Sequence, residues 1–151
     1  MPESYGVPEG EDGLLAWEYV AERMRTSHDY WLVTVQPDGR PHAVPVWGVW
    51  LDDTIHFGGG RTTKKARNIA KNPSVIVHAE SGEEAVILEG EAVEVTDPAT
   101  LDRIDDAYEA KYGIRHGTPV WTLKARKVHA WSSFPKDATR LSFEPEPRPE
   151  R

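Results

Sequence analysis

The spacing of apolar residues changes from helical to alternating early in the chain. In residues 14–24, apolar side chains recur three or four positions apart, as on one face of an amphipathic helix. From residue 30 onward, alternating or continuous apolar runs of strand length replace that spacing. The pattern predicts a helix over 14–24 and strands over 30–36, 41–51, 54–57, 74–80, 85–95, about 126–131, and 138–143.

Turn residues join the first two of these strands. Pro37, Asp38 and Gly39 lie between them, and a proline followed closely by a glycine favours a tight turn. We therefore predict that 30–36 and 41–51 form a hairpin, and that 41–51 also runs beside 54–57. Pro45 has no backbone N–H, so it predicts a sheet edge, a bulge or a place where the backbone faces a ligand.

Two further helices are predicted by their end signals. Residues 64–71 form a short basic segment that Asn72 and Pro73 terminate. Residues 98–112 begin with a proline, which suits the first helical turn, and Thr96 or Asp97 is placed to cap it. A glycine follows at position 113, where a helix commonly ends.

Many strands joined by short turns, with few helices between them, predict a closed or nearly closed antiparallel β-barrel. The sequence contains no internal repeat and no second domain. Residues 1–12 are polar and contain prolines, which predicts a flexible N-terminal arm. Residues 13–143 form the predicted barrel domain, and the Pro- and Glu-rich residues 144–151 form a predicted loose tail.

Composition excludes several classes of function. The net charge is -7, from 18 basic and 25 acidic residues, which argues against general binding of nucleic acids or anionic membranes. The chain has no cysteine, so disulfides and thiolate catalysis are excluded. The six histidines are scattered, and we expect no metal site. No apolar run approaches membrane-spanning length and no signal peptide is evident, so we expect a cytoplasmic protein.

A glycine loop followed by a basic helix is the strongest chemical signal. Glycines allow a backbone to approach a ligand closely, and the free N–H groups at a helix start attract anions. Basic side chains at a helix start are unfavourable for stability, which suggests that the charge of a bound phosphate compensates them. A glycine-rich turn before an ordinary solvated helix explains the segment equally well. The residues concerned are Gly58, Gly59, Gly60, Arg61, Thr63, Lys64, Lys65 and Arg67.

The strand over 41–51 is the candidate site for an aromatic ring. A ligand whose phosphate lies at Thr63 and Lys65 could place its ring along Val44, Pro45, Val46 and Trp47. A core strand with a proline bulge is the alternative. No pair of acid–base residues stands out, which favours chemistry carried by a cofactor that the protein positions.

The order of these motifs resembles the pyridoxamine 5′-phosphate oxidase-like split β-barrel superfamily. The motifs are Pro-Asp-Gly-Arg-Pro-His at 37–42, Val-Pro-Val-Trp at 44–47, the glycine loop, and Thr-x-Lys-x-x-x-Ile-x-x-Asn-Pro-x-Val at 63–75. Within that superfamily the chain is most similar to the actinobacterial flavin/deazaflavin oxidoreductases, many of which use coenzyme F420. The resemblance spans residues 14–143. It implies a mainly β fold, a split antiparallel barrel of six to seven strands with two to three flanking helices.

The resemblance also implies a homodimer with a cofactor at the subunit interface. Thr63 and Lys65 would hold the cofactor phosphate, assisted by Arg61 and Lys64, with Arg67 nearby. The ring would lie against 44–47. Segments around Trp131 and Arg140 would approach the partner's site.

We expect from the resemblance a cofactor-dependent oxidoreductase. Val44 and Val49 stand where the true oxidases carry basic residues, so we do not expect oxidation of pyridoxamine phosphate. The preferred reading is an F420-dependent reductase that passes hydride to an unsaturated or conjugated small-molecule acceptor. The alternatives are an FMN-dependent oxidoreductase of the same fold, or a protein that binds a flavin, deazaflavin or haem without turnover.

Overall fold

The computed structural model describes residues 15–143, so the predicted arm and tail lie outside the described residues. Three helices and eight strands follow one another along this range. In chain order they are α1 (Trp17–Thr26), β1 (Tyr30–Val35), β2 (Pro41–Val46), β3 (Gly48–Leu51), β4 (Thr54–Gly58), α2 (Lys64–Lys71), β5 (Ser74–Ala79), β6 (Ala85–Glu94), α3 (Pro98–Tyr112), β7 (Val120–Trp131) and β8 (Thr139–Ser142).

All eight strands belong to one antiparallel sheet. Its order is β2-β1-β5-β6-β7-β4-β3, and β8 pairs with β7 at the side of this path. The sheet curls around an apolar interior, which is lined by alternate side chains of each strand. The mainly β split-barrel fold is therefore confirmed. Interior side chains include Tyr30, Leu32, Ile55, Phe57, Val77, Leu88, Leu123 and Val128.

The helix ends agree with their sequence signals. Thr63 caps α2 by accepting a hydrogen bond from the Ala66 amide, and Asp97 caps α3 through the Thr100 amide. Gly113 ends α3 in the left-handed region, with φ of 79°. The predicted bounds of α2 and α3 are correct, whereas α1 begins three residues later than the prediction of 14–24.

The predicted strand over 41–51 is two strands, which raises the strand count to eight. Its first half, β2, pairs with β1, and its second half, β3, pairs with β4. Strands β2 and β3 lie at opposite ends of the sheet order, so the chain must leave one ladder and join the other at Trp47. The prediction that the whole segment runs beside 54–57 is therefore wrong for β2 (Pro41–Val46). Pro45 lies on a strand at the sheet edge, where the missing N–H costs little.

Helix α3 covers the outer side of this break. Ile104 and Tyr108 are fully buried against Val49 and Val120, in a small apolar cluster separate from the barrel interior. Burial of side chains of this size contributes about 1.5–3 kcal/mol each. The cluster places the last turn of α3, and the loop after it, beside Trp47 and the end of β4.

Candidate functional site

The glycine loop begins at the end of β4 and leads into α2. Thr63 closes it, because its hydroxyl donates to the Gly60 carbonyl at 2.6 Å and accepts from the Ala66 amide at 3.3 Å. The hydroxyl proton of Thr63 is therefore already used within the loop. A phosphate here would be met first by free backbone N–H groups at the start of α2. The predicted role of the Thr63 side chain stays a prediction.

Lys65 lies folded against the loop. Its side chain occupies the space beside Gly59, where an added Cβ would lie 2.2 Å from Cε and 2.8 Å from Nζ of Lys65. The side chain is half-buried, and burial lowers the pKa of its ammonium group. Among residues 15–143, Lys65 makes no hydrogen bond and no ion pair. A half-buried cation without a counter-ion is a favourable partner for an anion.

The other predicted cations differ in how far they are engaged. Arg61 forms a bidentate ion pair with Glu94, with N–O distances of 2.6 and 3.2 Å. The Arg61 side chain is 64% exposed and that of Glu94 is 36% exposed, so solvent screens the pair and it contributes little to stability. Lys64 and Arg67 are exposed, and within the described range neither is in an ion pair. Among the predicted cations, Arg61 is therefore the one for which a carboxylate, that of Glu94, would compete with a bound anion.

The predicted ring-binding residues divide between the two faces of β2. Val46 is buried in the barrel interior, and Val44 packs partly against it. Pro45 is exposed, opposite Trp31 in the ladder with β1. The Trp47 side chain is 42% exposed and marks the point where β2 ends. Only Pro45, Trp47 and the strand backbone are therefore open to a ring.

Helix α3 holds the break at Trp47 by hydrogen bonds to its backbone. The Tyr108 hydroxyl donates to the Trp47 carbonyl at 3.1 Å, and Lys111 Nζ donates to the Gly48 carbonyl at 2.9 Å. The Tyr112 hydroxyl accepts from the Gly48 amide at 3.1 Å. These bonds replace the ladder bonds that the break interrupts, so the backbone polar groups stay satisfied.

Lys111 lies among aromatic rings rather than carboxylates. Its Nζ donates to the Tyr30 hydroxyl at 2.7 Å and lies 4.7 Å from the centre of that ring. Burial lowers the pKa of Lys111 to about 8, and Asp29 opposes this shift. Burial also raises the pKa of Tyr112 to about 12. The sequence does not single out residues 111 and 112, because nothing in it links α3 to the β2–β3 break.

Gly58 links the two predicted halves of the site along the chain. It follows Phe57, which pairs with Gly48 in the ladder between β3 and β4, and it precedes Gly59, on which the Lys65 side chain lies. A ligand with its anionic end at Lys65 and its aromatic ring at Trp47 would pass Gly58. The His116 ring packs on Gly58, a contact that the sequence did not predict across so long a separation.

The described residues contain neither a cluster of metal ligands nor a membrane-spanning helix. Within 15–143, no three His, Asp or Glu side chains converge as a metal site requires. None of the helices in that range is long and apolar enough to cross a membrane.

Several proteins of known structure share this fold. A conserved hypothetical protein from Mycobacterium tuberculosis is 22% identical with a TM-score of 0.71, and the match covers 83% of this chain and 89% of that protein. A haem-binding protein from Mycobacterium smegmatis is 20% identical with a TM-score of 0.69, over 85% of this chain and 58% of that one. A FAD-binding protein from the same organism is 19% identical with a TM-score of 0.59, over 86% and 98%.

Likeness at this level of identity shows the shared fold alone. A comparison with curated proteins found no match. The family model described as pyridoxamine 5′-phosphate oxidase matches residues 17–139. Because this match spans most of the sequence, the chain belongs to the pyridoxamine 5′-phosphate oxidase family.

Proposed function

We propose that this protein is an oxidoreductase that binds a flavin-type cofactor, with the phosphate at Lys65 and the ring beside Trp47. The observation that carries the proposal is the half-buried Lys65, which lies on the glycine loop without a counter-ion among the described residues. Each charge-assisted hydrogen bond to a phosphate contributes about 1.5–3 kcal/mol. The backbone N–H groups at the start of α2 would add to this.

Coenzyme F420 is the cofactor we favour, and FMN is the alternative. The valines at positions 44 and 49 and the exposed cations of the loop suit a deazaflavin, whose acidic tail extends beyond its first phosphate. When bound in its reduced form, the deazaflavin would supply hydride chemistry toward an unsaturated or conjugated acceptor, and the proton would come from solvent. The chain's own contribution is to orient the ring against Trp47 and to exclude water from it.

A cofactor carrier without turnover is the second candidate. A haem-binding protein and a FAD-binding protein that share this fold support it. The titratable side chains of Tyr108 and Lys111 beside Trp47 already donate to the backbone carbonyls of Trp47 and Gly48. Under this proposal the glycine loop and Trp47 would still hold a cofactor, and only the acceptor reaction would be missing.

A homodimer completes the proposal. The outer face of the sheet carries an apolar patch centred on Trp31, which is 39% exposed. Pro45 and His78 lie opposite Trp31 in the two neighbouring ladders. Exposed apolar patches of this kind commonly mark subunit contacts. The remaining members of the patch are Val33, Val35, Ala43, Ile76 and Ile87. A second copy on this face would lie next to the β2 edge where we place the ring.

Titration of the purified protein with F420, FMN and haem tests the proposal. We expect quenching of F420 fluorescence at micromolar protein, followed by oxidation of reduced F420 when α,β-unsaturated ketones are added. FMN binding with turnover would transfer the proposal to the alternative cofactor. Binding of either compound without turnover of any acceptor would favour the carrier. A protein that binds neither F420 nor FMN would overturn the oxidoreductase proposal.

A further inference from the structure

His116 lies on the glycine loop at the point where the proposed cofactor must cross it. An added Cβ on Gly58 would lie 2.1 Å from Cε1 and 2.6 Å from Nε2 of His116. The imidazole therefore fills the space where a side chain at position 58 would be. Lys65 does the same at Gly59, the next residue, whose Cα is about 3.8 Å away. Two side chains with polar ends thus lie on consecutive glycines.

The loop that carries His116 is firmly anchored. Arg115 forms an ion pair with Asp106 at 2.7 Å, and the Gly117 amide donates to the Asp105 carboxylate at 2.9 Å. The His116 ring packs on the ring of Tyr108, with centroids 4.8 Å apart. Tyr108 is buried and holds the Trp47 carbonyl, so His116 and Trp47 are positioned by the same residue.

The protonation of the neutral ring follows from its neighbours. His116 Nδ1 lies 2.9 Å from the Gly117 carbonyl oxygen, which can only accept a hydrogen bond. The neutral imidazole therefore carries its proton on Nδ1 and keeps an acceptor lone pair on Nε2. Within the described residues Nε2 makes no hydrogen bond. A packing residue would need no such acceptor, since a phenyl ring would fill the same space.

We propose that His116 is a further ligand-binding residue, whose Nε2 accepts a hydrogen bond from a hydroxyl of the sugar-alcohol chain between the phosphate and the ring. The inference rests on the proposed function, since Lys65 fixes one end of that chain and Trp47 the other. Along the chain, Gly58 joins Phe57, the partner of Gly48, to Gly59, on which Lys65 lies, and the linker is the part of a flavin-type cofactor that offers hydroxyl donors. The ring and the phosphate are excluded as partners by their own places at Trp47 and Lys65.

Truncated ligands combined with truncated side chains test the proposal. Binding of FMN, riboflavin and lumiflavin is measured for the parent, His116→Phe, His116→Gln and Lys65→Ala. The same series is measured with F420, its phosphate-free ribityl fragment and the N10-methyl deazaflavin. Phenylalanine keeps the packing on Gly58 and Tyr108 but removes the acceptor. Glutamine retains an acceptor oxygen on a flexible side chain.

We expect His116→Phe to weaken binding of the two ribityl-bearing ligands by about 3- to 10-fold and to leave the ring-only ligand unchanged. His116→Gln should recover part of the loss. Lys65→Ala should weaken only the phosphate-bearing ligand. Unfolding midpoints of the variants show whether each is folded at the assay temperature.

Two results would overturn the inference while leaving the proposed function intact. One is parent-like binding of every ligand by His116→Phe. The other is an equal loss for the ring-only ligand, which would show a packing role. A parent protein that binds neither the flavin nor the deazaflavin series would remove the proposed function and this inference together.

Discussion

The indole of Trp47 stacks on the phenol ring of Tyr112, with ring centroids 4.3 Å apart and planes inclined by only 1°. Parallel aromatic contacts contribute about 0.5–1.5 kcal/mol beyond area burial. The stack fixes one face of the indole to α3 while the residue remains 42% exposed. Lys111 lies on the same phenol ring, with Nζ 5.1 Å from its centre. The orientation of Trp47 is therefore set by the last turn of α3 rather than by β2.

Replacing Lys65 by alanine should weaken binding of the phosphate-bearing cofactor by about 10- to 100-fold. The free energy of unfolding should change little, because a cation is removed from a helix start, where it is unfavourable. Lys71→Ala, at the last turn of α2, is the matched control and should bind nearly as the parent does. Equal affinity of both variants and the parent in fluorescence titrations would place the phosphate elsewhere.

Glu94→Gln should strengthen cofactor binding by a few-fold. The change removes the carboxylate that pairs with Arg61, so the guanidinium becomes available to a ligand anion. Stability should change by less than about 1 kcal/mol, because the pair is exposed. Raising the salt concentration should reduce the difference between variant and parent. If Arg61 plays no part in binding, Glu94→Gln and Arg61→Ala will both titrate like the parent.

The free energy of unfolding should depend on pH in the alkaline range because of Lys111. Burial lowers its pKa to about 8 in the folded protein, against 10.5 for an ordinary lysine. Between these values the unfolded chain binds more protons, so the free energy of unfolding rises with pH over about 8 to 10. Above that range the trend reverses, because burial raises the pKa of Tyr112 above 10.0 and the unfolded chain ionises first.

Urea unfolding of Lys111→Met at several pH values checks this assignment. The variant should lose the rise between pH 8 and 10 and keep the fall above it. It should also be less stable at pH 7, because the Gly48 carbonyl and the Tyr30 hydroxyl lose a donor. A rise of the same size in the variant would assign the titration to another group, with Lys65 the next candidate because burial lowers its pKa as well.

Local signals in the sequence were sufficient for most of the fold. The bounds of α2 and α3 agree with the predicted ones, whose end signals Asn72, Pro73, Pro98 and Gly113 act within one or two turns, whereas the cap at Thr63 was not predicted. The break at Trp47 did not, because apolar residues continue through it and only the pairing partners change. Periodicity reports which residues are buried but not which strand they pair with.

The candidate site divides in the same way. The glycine loop and the basic helix start, where we propose the anionic end, are adjacent in sequence, so this candidate could be named from the sequence alone. The supporting residues Tyr108, Lys111 and His116 were not, because α3 reaches Trp47 and Gly58 only through the tertiary fold. Residues that act through long-range contacts carry no local pattern for sequence reasoning to detect.

Trp31→Lys should convert the proposed homodimer into a monomer. Trp31 lies at the centre of the apolar patch on the outer sheet face, where a lysine would place an unpaired charge inside the subunit contact. Val93→Lys is the control, because Val93 is 41% exposed, close to the 39% of Trp31, but lies near the far end of β6. Sedimentation velocity should show a dimer for the parent and the Val93 variant, and a monomer for the Trp31 variant. Cofactor affinity should fall with dissociation, because the partner would complete the site beside β2. A parent protein that sediments as a monomer at high micromolar concentration would refute the subunit contact, and the ring would then bind within a single chain.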